Sequence, residues 1–138
     1  MRMSDWNQKV IEEFRANGGK VAQFGDVPIL LLHTTGARTG EERVTPLAAR
    51  IDGEDLIVYG SYAGATRHPA WFHNLVAHPR VTVEIGTETR EVVARVAEGA
   101  EHDRLWARQK EEIPTFAEYE QKAEGRTIPV IVLQPAKP

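Results

Sequence analysis

The sequence contains no cysteine among its 138 residues. Disulfide bonds, thiolate nucleophiles and sulfur-ligated metals are therefore excluded. It also lacks a long apolar run: the longest, residues 27–32, contains Pro28 and is far shorter than the roughly 20 residues that a membrane-spanning helix needs. Residues 1–6 lack the apolar stretch of a secretory signal. We therefore expect a cytoplasmic protein.

The sequence also lacks an excess of positive charge, since its formal net charge is −3 at pH 7. This argues against nucleic acid as the main partner, because phosphate binding needs a basic face. The composition, 41% hydrophobic and 27% charged, is ordinary for a folded chain, and residues 1–138 fit a single domain. A cofactor and a substrate must then share one small scaffold or an oligomer interface, so we expect a monomer or a homodimer.

The first predicted element is an amphipathic helix within residues 1–19. It covers about residues 5–16, where Trp6, Val10 and Phe14 recur on one face, and the two glycines at 18 and 19 end it. We expect this helix to pack on or beside the rest of the domain.

The remaining pattern predicts about six strands and three more helices. The strands cover residues 29–32, 44–50, 56–59, 81–85, 91–96 and 130–133, and the helices residues 69–78, 101–112 and 115 to about 125. Asp52-Gly53 is a hairpin signal, and Thr115 and Glu118 have capping-box spacing. Strands joined mostly as hairpins and interrupted by helices favour an α+β fold with an antiparallel sheet or small barrel.

Several familiar motifs do not match. The glycines after residue 35 lack the spacing of a P-loop or of a Rossmann fingerprint, and Tyr62 occupies the position where a nucleophile elbow needs serine. His68, His73 and His78 recur every five residues, which on a helix places consecutive ones about 140° apart. They would not share one face, so no metal site is predicted.

Two segments have features that suit an anionic ligand. Arg38 and Arg43 flank Thr39-Gly40, where glycine permits positive φ and a close approach of backbone N–H groups. Residues 61–67 lead from a strand into the helix that begins at Pro69, and a helix N-terminus attracts anions. Glycine turns with arginines also occur on the surfaces of many β-proteins, so spacing alone leaves both readings open.

Five segments, taken in order, resemble the deazaflavin-dependent nitroreductase and quinone reductase family of actinobacteria. They are LLHTTGARTG at 31–40, RVTPL at 43–47, SYAGA at 61–65, PAWFHNL at 69–75 with His78-Pro79, and RTIPV at 126–130. The resemblance implies a split β-barrel like that of FMN-binding flavin reductases. It also implies an oxidoreductase that transfers a hydride from reduced coenzyme F420 to a quinone or nitroaromatic acceptor. F420 ends in a phosphate and a polyglutamate tail, which need a basic groove.

The resemblance also implies roles for individual residues. The phosphate and tail would be held by Arg38, Thr39, Gly40 and Arg43. The deazaflavin ring and ribityl chain would be lined by Val44, Thr45, Pro46, Leu47, Tyr59, Gly60, Ser61, Tyr62, Ala63 and Gly64. The site would be closed from the helix by Ala70, Trp71 and Asn74, and Phe116, also counted with the cofactor-binding residues, would lie near the acceptor. Ser61 and Tyr119 would be the catalytic hydrogen-bond donors to the acceptor, and no metal is implied.

This chain departs from the family pattern at three positions near the expected site. Tyr62 stands where relatives commonly carry lysine, and Ile113 and Phe116 replace tyrosines of the nitroimidazole-activating members. An apolar pocket of Ile113, Phe116 and Trp106 would suit a quinone ring. The first helix would allow contact with the inner face of the cell membrane, where menaquinone lies, although its charges are balanced.

Two other functions remain open at this stage. One is an FMN-dependent flavoprotein reductase of the same barrel superfamily. The other is a non-catalytic F420 carrier or binding protein.

Overall fold

The computed structural model describes residues 3–136, with side chains from residue 5 onward. The helices are α1 (Met3–Ala16), α2 (Ala70–Ala77), α3 (Gly99–Glu112) and α4 (Thr115–Lys122). The strands are β1 (Ile29–Thr35), β2 (Glu42–Ala48), β3 (Arg50–Asp52), β4 (Asp55–Tyr59), β5 (Arg80–Ile85), β6 (Glu88–Val96) and β7 (Val130–Pro135). Short 3₁₀ turns lie at Ala22–Phe24 and Tyr62–Gly64.

The strands form one antiparallel sheet in the order β2-β1-β5-β6-β7-β4-β3. The sheet curls into a half-barrel, because inward side chains of strands far apart in this order, such as Leu30 of β1 and Val58 of β4, meet in one buried cluster with Trp71 of α2. The predicted α+β class with mostly antiparallel strands is confirmed.

The sheet has seven described strands rather than six because the predicted strand at residues 44–50 is divided. The N–H of Ala49 donates to the carbonyl of Pro28 at 2.9 Å in the register of the β1–β2 ladder, but Pro28 has no N–H to return the second bond of the pair, so the ladder ends there. β2 therefore pairs with β1 only as far as Ala48, and β3 starts at Arg50 and pairs with β4. The predicted hairpin at Asp52-Gly53 is confirmed, with Gly53 at φ +62°.

Helices cover the outer face of the curled sheet near both of its ends. Alternation along each strand sends Leu30 and Leu32 inward and Ile29 and Leu31 outward, so β1 is buried on both faces. The outward residues of β1 pack against α1, and those of β4 and β7 pack against α3 and α4.

α1 follows the predicted periodicity with one difference. Val10 and Phe14 are buried against the sheet, where full burial of such side chains contributes about 2 kcal/mol each. Trp6 lies at the edge, 36% exposed, with its ring edge-on to Phe24. The apolar face of α1 within residues 5–16 is therefore used by the protein itself. Within the described residues, no helix combines the length and apolarity needed to cross a bilayer.

The predicted capping box at Thr115 is wrong. Pro114 is the N-cap residue and already has helical angles (φ −57°, ψ −21°), and no side chain caps the helix. The N–H of Phe116 donates instead to the carbonyl of Ile113. Thr115 is thus the first helical residue rather than the N-cap, and its hydroxyl does not cap the helix.

Candidate active site

The turn between β1 and β2, residues 36–41, has a closely defined shape. Gly36 N–H donates to Glu41 O at 2.7 Å, Gly40 N–H donates to Gly36 O at 2.9 Å, and Glu41 N–H donates to the Thr39 hydroxyl at 3.2 Å. Gly40 has φ +72°, and a Cβ on Gly36 would lie 2.6 Å from Thr39 Oγ1. Gly40 is therefore favoured by its positive φ, and Gly36 by the lack of space for a side chain.

Two guanidinium groups project from this turn and its exit. Arg38 is exposed at the tip and forms no ion pair with any described residue. Arg43 lies 3.6 Å from Glu41, but both side chains are well exposed, and such a surface pair contributes little. Both cations are therefore available to an anionic ligand, and guanidinium forks suit phosphate and carboxylate groups.

Asn74 of α2 fastens this turn to the helix. Its Oδ1 accepts from the N–H of Ala37 at 3.0 Å, and its Nδ2 donates to the hydroxyl of Thr34 at 3.4 Å. Thr34 is only 2% exposed, so this contact reaches into the interior. The side chain of Asn74 thus supports the turn from behind, a role that the sequence pattern did not indicate.

A second segment, residues 60–65, follows β4 and is strained. Tyr62 and Ala63 have φ +48° and +51°, and Gly64 follows at φ +82°. Positive φ at a non-glycine residue costs on the order of 1 kcal/mol and persists only where the surroundings impose it. Ser61, at the start of this loop, is 8% exposed, whereas Tyr62 is exposed, with the guanidinium of Arg67 5.9 Å from its ring centre.

Arg126, which precedes β7, imposes much of this shape. Its Nε donates to Ala65 O at 3.0 Å, its Nη1 to Gly60 O at 2.9 Å, and its Nη2 to Ser61 O at 2.8 Å. One side chain therefore joins three carbonyls of the 60–65 loop. Burial lowers the pKa of the Arg126 guanidinium, although arginine stays charged in proteins.

Helix α4 packs against the same loop. A Cβ on Gly64 would lie 2.7 Å from Lys122 Cβ and 2.9 Å from Tyr119 O, so the contact is backbone to backbone. The rings of Phe116 and Tyr119 are edge-on at 5.4 Å, and Phe116 also packs edge-on to Tyr59. Tyr119 and Ser61 thus belong to two elements in contact.

The predicted site residues of β2 lie on both faces of that strand, and the one at the start of α2 is exposed. Val44 of β2 packs toward α1, whereas Leu47 packs toward the barrel interior. β2 is the end strand of the sheet, so its outer backbone edge is unpaired by a neighbouring strand, and Pro46 is compatible with such an edge. Thr45 and Pro46 are half-buried, and Ala70 is exposed.

Two predicted aromatic residues are buried rather than open to a ligand. Trp71 lies in the barrel core, and Tyr59 packs against Trp106 and Phe116 on the outer side of the sheet. Burial raises the pKa of the Tyr59 phenol, partly offset by the Arg50 guanidinium. These side chains support the site from behind, and any contact of Tyr59 with a ligand is through its backbone.

The predicted separation of the histidines is wrong for His68 and His73. His68 precedes α2 rather than lying on it, and the two rings are 5.8 Å apart. Nδ1 of His68 also lies 2.9 Å from Nη1 of Arg126. Within the described residues, no group of three or more acidic or histidine side chains is placed to hold a metal ion.

A profile of the F420H(2)-dependent quinone reductase family matches residues 6–135. The chain belongs to this family. An F420H(2)-dependent quinone reductase of Mycobacterium tuberculosis is 36% identical over 124 residues, which are 87% of this chain and 83% of that protein. The similarity to the family therefore extends over almost the whole chain and is not limited to the five motifs.

Solved structures agree with this assignment to the quinone reductase family. An F420-H2 dependent reductase, FDR-A, superposes with a TM-score of 0.69 at 35% identity, covering 78% of this chain and 94% of that one. HutZ, a haem storage protein of Vibrio cholerae, superposes with a TM-score of 0.57 at 21% identity over 100% of this chain and 93% of its own, which shows likeness of fold alone. The predicted split β-barrel is confirmed.

Proposed function

We propose that this member of the quinone reductase family transfers a hydride from reduced coenzyme F420 to a quinone. The observation that carries the proposal is the pairing of two defined segments on one helix. The 36–41 turn with its two arginines is fastened to α2 by Asn74, and the strained 60–65 loop leads into the same helix. A basic turn bonded to α2 and a strained loop that leads into the same helix suit a long ligand with an anionic end.

The donor set fits the coenzyme. Arg38 and Arg43 would hold the phosphate and the glutamate tail, with Thr39 and Gly40 shaping the backbone between them. The outer edge of β2, residues 44–47, would offer backbone groups to the deazaflavin, and residues 60–64 would border the ring. Asn74 would fix the turn, and Trp71, Tyr59 and Phe116 would support the lining from behind.

The bound coenzyme supplies the hydride, and the protein supplies position and hydrogen bonds. A quinone that accepts a hydride and a proton becomes a hydroquinone, and negative charge develops on its oxygen on the way. Ser61 and Tyr119 would donate hydrogen bonds to that oxygen, which stabilises the charge where it forms. Tyr119 is half-buried beside Phe116, so water is partly excluded there.

The acceptor side is more apolar than in relatives with tyrosines at these positions. Ile113 and Phe116 are half-buried, and Trp106 is fully buried behind Phe116. Apolar contact with a ring favours a quinone over a strongly polar acceptor. We propose quinones as the preferred class, with nitroaromatic compounds as a second class to be compared in the same assay.

The experiment that tests the proposal follows oxidation of reduced F420 with menadione as acceptor. The wild-type protein is expected to turn over, whereas the double variant R38A/R43A should show a higher Kd for the coenzyme. The control is R90A/R104A, which removes the same charge from β6 and α3, away from the site. Equal coenzyme binding by both double variants would contradict the proposal.

The colour of the purified protein and ligand titrations, together with this assay, separate the two other functions. A flavoprotein would carry yellow FMN on purification and bind it in preference to F420. A carrier would bind F420 tightly and reduce neither menadione nor a nitroaromatic compound.

A further inference from the structure

The guanidinium of Arg126 uses four of its five N–H groups on the segment that carries Ser61. Three go to the carbonyls of Gly60, Ser61 and Ala65, and the fourth, on Nη1, goes to Nδ1 of His68 at 2.9 Å. The first three bonds are independent of pH in the working range. The fourth depends on the protonation of an imidazole.

The contact with Arg126 determines the tautomer of His68. A guanidinium only donates hydrogen bonds, so Nδ1 of His68 must present its lone pair and the ring proton must be on Nε2. Burial lowers the pKa of His68 from its ordinary 6.5, and the charges of Arg126 and His73 lower it further. The imidazole is therefore neutral at pH 7.

The surroundings of His68 contain no compensating carboxylate among the described residues. Arg126 faces it from the segment before β7, and His73 faces it from α2, where the ring of Phe72 also packs at 4.8 Å. Arg67, its neighbour in the chain, is exposed. An imidazolium here would meet like charges, and it would lose the bond to Arg126.

We propose that Arg126 and neutral His68 are positioning residues that lock the 60–65 loop in its coenzyme-binding shape, and that protonation of His68 opens the lock. The coenzyme enters this inference through the proposed function, but the lock itself is a property of the unliganded protein. It explains how two positive-φ residues, Tyr62 and Ala63, are maintained in a loop that is partly exposed.

The direction of the pH effect follows from the lowered pKa. In the open loop the imidazole is hydrated and titrates near its ordinary 6.5. In the locked loop it binds a proton less readily, so the open form binds more protons. The locked form is therefore favoured above pH 6.5, and its population decreases as the pH falls below that value.

The test measures protection factors of the amides of Gly64 and Ala65, which donate to Ser61 O at 2.9 Å and to Tyr62 O at 3.0 Å, by hydrogen exchange without coenzyme from pH 7.5 to pH 5. In wild type, the protection factors are expected to fall roughly tenfold or more as His68 becomes protonated. A fall of this size corresponds to the loss of one charge-assisted hydrogen bond. H68N should show, over the whole pH range, the protection that wild type has at pH 7.5, because the amide oxygen replaces Nδ1 as acceptor without titrating. H68L should already show at pH 7.5 the lowered protection that wild type reaches at pH 5, and H73N, the control, should retain the pH step.

A pH step that survives in H68N, or full protection in H68L at pH 7.5, would overturn the lock. A coenzyme titration of the same variants tests its link to function separately. If exchange shows the step but the Kd for F420 does not follow it, the loop is not the coenzyme site and the proposed function fails there. If F420 binds as proposed but exchange shows no step, the lock alone is wrong.

Discussion

The amide of Asn74 gives the most specific prediction, because it joins the basic turn to α2 through two hydrogen bonds. N74A removes acceptance from Ala37 N–H at 3.0 Å and donation to Thr34 at 3.4 Å. A neutral hydrogen bond is worth about 1 kcal/mol net, and the longer bond is worth less. Ala37 is exposed and its N–H can be hydrated, whereas Thr34 is buried and its hydroxyl loses a partner.

The sum for N74A is about 1–2 kcal/mol, borne by the ordered shape of the 36–41 turn. If the coenzyme binds only the ordered turn, its Kd rises by up to about 5- to 30-fold, the full factor applying where order of the wild-type turn depends on these bonds, since about 1.4 kcal/mol is a factor of ten. The Kd is measured by fluorescence titration with F420.

The control is V76A on the same helix, where the side chain is 59% exposed and lies in a cleft with Pro79 and Val96. V76A should bind F420 as the wild type does. Binding by N74A within twofold of wild type would refute the reasoning, because it would show that the turn is ordered without the helix.

Three further variants test other parts of the account. G64A, with φ +82° and a Cβ 2.7 Å from Lys122 Cβ, should lower the free energy of unfolding by about 2–4 kcal/mol in urea; unchanged stability would show that α4 yields freely. The hydrogen bond from Arg15, and then that from His33, lowers the pKa of Glu84 below 4.5. The ionised Glu84 carboxylate therefore stabilises the fold above pH 4.5, and this stabilisation is lost as the pH falls through the lowered pKa. E84Q should therefore flatten the acid limb of a stability profile, and an identical limb would contradict this. Finally, added salt should weaken F420 binding less in R38A/R43A than in wild type, and equal salt slopes would argue against contact with the anionic tail.

Much of the fold follows from periodicity and turn chemistry. The short apolar run that opens β1 and the glycines at the hairpins are local signals, and they predict strands and turns at nearly the observed positions. The break at Ala49 has no such signal. The β1–β2 ladder ends there because Ala49 lies opposite Pro28, which has no N–H to donate, and this partner is known only once the register of the two strands is known.

The candidate site shows the same division. Arg38 and the glycines of the turn are recognisable from composition and spacing, and the family motifs indicate where the loops lie. The contacts of Arg126 with residues 60–65 were not predictable, because a single arginine before a strand carries no local mark of three distant carbonyl partners. His68 was misplaced for a related reason: its spacing matches a helix that begins two residues later.

The central claim is that the arginines of the 36–41 turn hold the acidic end of F420. It is tested most directly by titrating wild type and R38A/R43A with F420 and with the deazaflavin ribityl compound that lacks the phosphate and glutamate tail. The account predicts that the double variant binds F420 at least tenfold more weakly, as expected for lost charge-assisted hydrogen bonds, and binds the tail-less compound like wild type. Equal weakening for both ligands, or for neither, would contradict it.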